Sequence, residues 1–327
     1  MPGATMRAAV VEHFGASPQY RELARPLPHP GQVLIRVEAA AINPVDIRIA
    51  SGTFYGGAPK LPYIPGGEGA GTVVEDGRSL HGKRVRFEVS GDESGGLAEW
   101  TAVNEEACTP IPDQLPSATA AGLGIAGVAA WISLVDKARL RSGERVLILG
   151  ATGTVGQIAV QIARLLGAGR VVAAGRDPGA LARTLDLGAD AIVAIAGQSV
   201  EDLAAEFEAA AGGRLEVVFD PLWGLPLVAA TAGCGQSARI VNLGQSAGPE
   251  ATLSSAIVRG RQLSIFGHAS YSTPLEKRTA AFRALAEHVA AGRIRIAVEE
   301  LPLSAIASAW ARQMTSPHVK LVLLPGH

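Results

Sequence analysis

The rhythm of hydrophobic and polar positions changes twice along this 327-residue chain. Over residues 1–120, short β-type runs (RAAVVE, QVLIRVEAAAI, GAGTVVE, KRVRFEV, LAEWTAV) are separated at close intervals by Pro- and Gly-rich turn signals. That pattern predicts a compact, mostly β domain. An Ala-rich segment follows, SATAAGLGIAGVAAWISLVDKARL, with the pattern of a helix that bridges two domains. From residue 145 the pattern becomes strand–helix alternation. RVLILG precedes a helix over 154–167, RVVAAG a helix over 178–187, and AIVAI a helix over 199–211. EVVFD, ARIVNLG and QLSIFGH supply three further apolar strands. Alternation of this kind predicts a parallel sheet of βαβ units. The last stretch, from IAVEELP to VKLVLLP, returns to strand–helix–strand and is assigned to the first domain. The expected class is α/β, with one domain from 1–120 and 293–327 and the other from 121–292.

One loop within that alternation carries chemistry. In LILGATGTVG, residues 147–156, an apolar strand runs into Gly150, Gly153 and Gly156. Behind it Val155, Ile158, Ala159, Ile162, Ala163 and Leu166 recur at helical spacing. Glycines at a strand end and a first helical turn let backbone N–H groups approach a pyrophosphate, and the helix N-terminus favours its charge. A Gly-rich strand–helix turn is the plain alternative. The strand before it, the helix after it and the βαβ units that follow favour a dinucleotide site made of Gly150, Ala151, Thr152, Gly153, Thr154, Val155 and Gly156. An NAD site places an acidic residue at the end of the next strand. Here that strand ends in Gly175-Arg176, which offers space and a guanidinium fork for the 2′-phosphate of NADPH. Asp177 before Pro178 reads better as a helix N-cap than as a ribose ligand.

Composition narrows the partners. The chain is 48% hydrophobic and 18% charged, a globular balance. A formal net charge of −1 argues against a nucleic-acid or membrane-surface partner. No apolar run reaches the ~18 residues expected of a membrane span, and the start lacks the features of a signal peptide. Residues 1–5 precede the first strand-like run, as an extension would. Two distant cysteines, Cys108 and Cys234, exclude a disulfide framework and fit a reducing cytoplasm. None of the seven histidines lies three to five residues from another, so no local metal motif is present and no metal is expected.

With that loop, the stretch AAAINPVDIRIASGTFYGGAPKLPYIPGGEGAGTVVEDG and the strings GGLAEW, AGVAAW, LGAD and VNLG resemble the medium-chain dehydrogenase/reductase superfamily, specifically its zinc-free quinone oxidoreductase branch. The resemblance spans the whole chain. It implies a GroES-like catalytic domain with an inserted Rossmann domain. Zinc-dependent members carry a cysteine shortly before the position of Asp46, a histidine at that of Gly67 and four cysteines in a lobe. Here Gly67 has no side chain and 87–107 holds no cysteine, which leaves Glu68 as a lone carboxylate.

The resemblance also implies site residues. Asn43, in the NP-x-D motif, takes the place of an asparagine near nicotinamide and substrate; its other reading is a turn residue before Pro44. Family members often have tyrosine at the position of Phe54, and sometimes at that of Arg48, so neighbouring Tyr55 is the candidate substitute. The usual threonine before AW is Ala129. Strand ends Leu243-Gly244 and Gly267-His268 are expected to contact the nicotinamide half, although His268 could equally cap a strand end. Short-chain reductases are excluded. Their Tyr-x-x-x-Lys is absent, since Ala24, Pro59, Gly67 and Leu275 follow the four tyrosines at that spacing.

The implied activity is NADPH-dependent hydride transfer to a quinone or an α,β-unsaturated carbonyl, without zinc, by a cytoplasmic homodimer paired along the last Rossmann strand. The alternatives are a pathway-specific enone reductase of secondary metabolism and a non-catalytic NADPH-binding protein.

Overall fold

A computed structural model describes residues 4–75, 79–89 and 95–326. The first three residues, part of the 87–107 stretch and His327 lie outside the described residues. Two compact units emerge. One comprises 1–125, 282–292 and 296–327; the other comprises 126–281 and 293–295.

The first unit is built on a seven-stranded sheet. Its order runs Val298–Pro302, Lys320–Leu324, Gln32–Ala41, Glu68–Glu75, Arg84–Glu88 and Cys108–Pro110, with Trp100–Asn104 also paired to Gln32–Ala41. Pairing is antiparallel except between Val298–Pro302 and Lys320–Leu324. Thr5–Val10 and Gln19–Ala24 form a separate antiparallel pair. Alternation along Gln32–Ala41 drives Val33, Ile35 and Val37 into a core with Phe87, Leu97, Leu321, Leu323 and Trp310. The C-terminal strands thus sit in the sheet of the N-terminal domain, the arrangement of a GroES-like fold.

The second unit holds six parallel strands in the order Ala191–Ala194, Arg170–Gly175, Arg145–Ile148, Leu215–Asp220, Cys234–Asn242, Ser264–Gly267. In sequence terms this is 3-2-1-4-5-6, the doubly wound dinucleotide-binding order. The helix after the glycine loop runs Thr154–Leu165. Of the expected stripe it buries Ile158, Ala159, Ile162 and Ala163, while Val155 and Leu166 are half-buried. Gln161 is also inside, where its amide donates to Arg295 O at 2.8 Å and accepts from Arg295 N at 2.8 Å. The helix expected over 178–187 is two pieces, Pro178–Ala182 and a 3₁₀ turn at Leu185–Leu187.

One expectation needs correction. The helical stretch Ser117–Lys137, 21 residues with an 18-residue window of mean hydropathy 1.8, is long and apolar enough to cross a membrane by length and composition. The sequence pattern hid it because Ser117, Thr119, Ser133 and three glycines interrupt the apolar run, while Asp136 and Lys137 fall only in its last turn, wound as a π-helix over Ile132–Lys137. Most of this stretch, 78% of its apolar window, is buried within the protein, as a core helix would be.

Candidate active site

The glycine loop is shaped by close backbone contacts. Gly150 has φ +61°, a left-handed conformation that glycine adopts without strain. Gly156 is required by packing: a Cβ there would lie 2.3 Å from Gly150 O. Gly153 is different, since its Cβ position meets nothing nearer than Gly150 O at 3.6 Å. Gly153 is also the N-cap of the Thr154–Leu165 helix and supplies no capping side chain. The first helical bond is donated by Gln157 to Gly153 O, so the N–H groups of Thr154, Val155 and Gly156 point beyond the helix without helical acceptors. An open turn beneath unpaired N–H groups fits a phosphate.

Other expected cofactor residues gather around that loop. Ala151 N donates to Ala174 O at 2.9 Å, joining the loop to the strand that ends at Gly175. Thr152 is buried, and its carbonyl accepts from Gln157 Nε2 at 2.8 Å. Leu243 N donates to Asp220 O, and a Cβ on Gly244 would fall 2.5 Å from Pro221 O. Pro221 in turn borders Gly150. Arg176 is exposed, and Asp177 caps the next helix by accepting from Ala180 N at 2.6 Å, with Pro178 in its first turn.

Two details change the expected roles. A Cβ on Gly175 would lie 2.7 Å from Thr152 Cγ2, so this glycine admits Thr152 and does not open a space for phosphate. Sequence reasoning also missed Asn242. Its Nδ2 donates to Asp220 Oδ2 at 2.9 Å and Gly244 O at 2.7 Å, holding the strand-end turn.

Gly267 and His268 end the outer strand. Gly267 is exposed, with open space at its Cβ position. His268 is buried; its backbone N donates to Asn242 O at 2.8 Å. Its Nδ1 is buried with no hydrogen-bond partner among the described residues. Burial, aided by the charge of Lys137, pushes its pKa down to about 4, so the ring is neutral at pH 7.

In the first unit, Asn43 begins the Pro44–Ala50 helix and is only 2% exposed. Asp46, three residues on, accepts from Asn43 N at 2.7 Å and from Gly67 N at 3.1 Å. Both ends of the Asn43 amide are engaged. Nδ2 donates to Glu68 Oε1 at 3.0 Å, and Oδ1 accepts from the ammonium of Lys320. Glu68 is fully buried. Its second oxygen accepts from Arg86 Nη2 at 3.2 Å and from the backbone N of Ile125 at 2.5 Å. Arg86 also pairs with Glu88, and its guanidinium lies 5.2 Å from the Phe282 ring centroid. Gly124 makes the helix contact possible, since a Cβ there would lie 1.8 Å from Glu68 Oε2.

Buried charges of both signs offset part of one another's desolvation cost. Burial nonetheless lifts the pKa of Asp46 to about 6, against the pull of its two backbone donors and Lys320. Burial lowers that of Lys320, with Glu68 and Asp46 opposing the shift. Tyr55 does not join this cluster: it is 75% exposed, its ring stacked on Phe54 at 4.7 Å. The burial of Lys320 and Arg86 was absent from the sequence reading. The available signal was a lone lysine inside an apolar strand, VKLVLL.

Two family models match the chain: the alcohol dehydrogenase GroES-like domain over residues 29–113 and the zinc-binding dehydrogenase domain over 154–290. A human protein named quinone oxidoreductase is 38% identical over 179 residues, covering 53% of this chain and 54% of that protein. The chloroplastic NADPH-dependent alkenal/one oxidoreductase of Arabidopsis thaliana is 33% identical over 201 residues, covering 58% and 50%. Each match spans about half the length of the curated relative. The crystal structure of an alcohol dehydrogenase superfamily protein from Novosphingobium aromaticivorans is 30% identical, covers 98% of this chain and 99% of its own, and superposes with a TM-score of 0.83. Strand order, glycine loop and sequence similarity agree, and the chain belongs to the medium-chain dehydrogenase/reductase superfamily.

Proposed function

We propose that this protein is a zinc-independent, NADPH-dependent reductase of quinones or α,β-unsaturated carbonyls. The names of the human and Arabidopsis relatives support the substrate class, and the latter also supports the coenzyme. The single observation that carries the reading is the ammonium of Lys320 bonded to Asn43, between the carboxylates of Asp46 and Glu68. Hydride addition to an enone or quinone builds negative charge on an oxygen. A buried cation bonded to an amide donor favours that charge without a metal.

The donor set at this place does not fit a zinc ion. Gly67 offers no ligand, Glu68 is taken by Arg86 and a helix N–H, and the lysine ammonium repels a divalent cation. The residues around the glycine loop do fit a dinucleotide. The N–H groups of Thr154, Val155 and Gly156 would hold its pyrophosphate, and exposed Arg176 would hold its 2′-phosphate. Leu243, Gly244, Gly267 and His268 line the nicotinamide half in this reading. Reduced nicotinamide, when bound, supplies the hydride. Asn43 donates through Nδ2 to the substrate oxygen, and with Tyr55 exposed on its own turn, solvent protonates the carbanion.

The same reading takes the protein to be a cytosolic homodimer. Ile265 and Phe266, exposed on the outer strand Ser264–Gly267, support pairing along that edge. Light scattering that shows a monomer at micromolar concentration would remove the dimer.

The deciding assay follows NADPH absorbance against a panel of quinones, enones and simple alcohols. Turnover of the first two with negligible alcohol oxidation is expected. Alcohol oxidation alone sinks the reading. NADPH binding without turnover of any of them favours the pathway-specific or non-catalytic alternative.

A further inference from the structure

Asn43 meets the substrate oxygen directly in the proposed function, whereas Lys320 bonds to Asn43 and can act only through it. An asparagine amide can sit either way round, and only its NH₂ end can donate. At Asn43 the choice is fixed from two sides. Glu68 Oε1 can only accept, so it selects Nδ2, at 3.0 Å. The Lys320 ammonium can only donate, so it selects Oδ1. A flipped amide would set carbonyl oxygen against carboxylate and NH₂ against ammonium, both repulsive and both buried. The lysine reaches Asn43 across 277 positions of sequence, from a strand paired in the sheet with Gln32–Ala41, just before Asn43.

Two of the partners are themselves pinned. Glu68 Oε2 is held by Arg86 Nη2 and Ile125 N, and Asp46 by Asn43 N and Gly67 N. Lys320 is the member of the group with capacity to spare. Of its three N–H bonds one goes to Asn43, and Glu68 Oε1 at 4.0 Å is beyond hydrogen-bond reach. Asn43 Nδ2 likewise keeps one N–H that no described residue accepts. A cation on Oδ1 draws electron density from the amide and makes that remaining N–H a stronger donor.

We infer that Lys320 is a positioning residue. It fixes the orientation of the Asn43 amide and polarises it, so that Nδ2–H is the donor offered to the oxygen of an enone or quinone. This rests on the function proposed above for the substrate, but the orientation itself is a property of the free protein and is tested separately. The charge is what matters: a residue acting only as packing would be replaced by methionine with little change at Asn43.

The test uses wild type, Lys320→Met and Lys320→Arg in the full chain. The side-chain amide ¹H–¹⁵N signals of Asn43, assigned by their loss in Asn43→Ala, report the polarisation without any turnover. They should move in Lys320→Met and return towards the wild-type position in Lys320→Arg. With an enone that wild type reduces, Lys320→Met should lose at least about 30-fold in kcat while the NADPH affinity stays within about twofold. Lys320→Arg should recover most of that loss. An unmoved Asn43 signal in Lys320→Met overturns the inference, as does kcat retained within about twofold. Should the methionine variant fail to fold, Lys320→Gln, which can still donate but carries no charge, takes its place with the same expected shift and loss. If wild type reduces nothing in the panel, the substrate reading falls, and the amide signals alone decide the role of Lys320.

Discussion

The two regions proposed to carry the chemistry are held together in opposite ways. Around Gly150 the structure is made by leaving side chains out. Gly156 and Gly244 approach backbone carbonyls more closely than a Cβ allows, and the donors on offer are main-chain N–H groups of one turn. Around Asn43 it is made by bringing long charged side chains in. Lys320, Arg86 and Glu68 come from three strands and are almost wholly buried. The geometry of the first region is set by backbone sterics. The second is a set of mutual obligations, in which removing one charge leaves another uncompensated.

Cutting the second region at its centre gives the largest expected effect. Glu68→Ala leaves Arg86 with Glu88 alone and Lys320 with Asp46 as its one remaining carboxylate, and should cost about 3–5 kcal/mol of stability, read by urea unfolding. A loss under about 1 kcal/mol would mean the cluster is not the interdependent set described. Next is the coenzyme contact at the edge of the first region. Arg176→Ala should weaken NADPH by roughly 10- to 150-fold, from about 1.5–3 kcal/mol of charge-assisted bonding, and leave NADH nearly unchanged. Equal affinity of wild type for both coenzymes would remove Arg176 from the site. Gly175→Ala should cost about 1–3 kcal/mol, because its methyl group meets Thr152; the side chain can yield, which backbone at Gly156 cannot. A Gly175→Ala loss equal to that of Gly156→Ala would erase that distinction.

The last effect is a slope with pH. Asp46 titrates near 6 when folded and near 3.8 in its ordinary state. A carboxyl whose folded pKa is raised binds more protons when folded, so it favours folding below pH 4 and loses that favour as pH climbs from about 4 to 6. Asp46→Asn does not titrate. Its stability relative to wild type should therefore rise between pH 4 and pH 7 in unfolding measurements, whatever the constant cost of the lost acceptor. A flat difference would place Asp46 in a better-solvated setting.

What could be read from sequence divides along the same line. The glycine loop, the Asp177-Pro178 cap and the order of the βαβ units depend on residues close together in the chain, so spacing alone exposes them. Asn43 was legible through its motif, but its partners were not. In a half-buried strand such as RVRFE an alternating charge reads as solvent-facing, so Arg86 is not marked as covered. The one local sign for Lys320 is its place in the apolar run VKLVLL. Tyr55 was chosen for standing beside Phe54 in sequence. Adjacent residues on an exposed turn need not share a direction, and here the phenol is outside the cluster.

The close approach of Thr152 to Gly175 has a consequence for redesign. Shifting such a site from NADP to NAD calls for an acidic group at the end of the second strand to meet the ribose hydroxyls. At position 175 a carboxylate would first have to push aside the Thr152 side chain, within the glycine turn proposed to hold the pyrophosphate. The route left open is the neighbouring position, where Arg176 already faces solvent and an exchange of charge leaves the loop untouched.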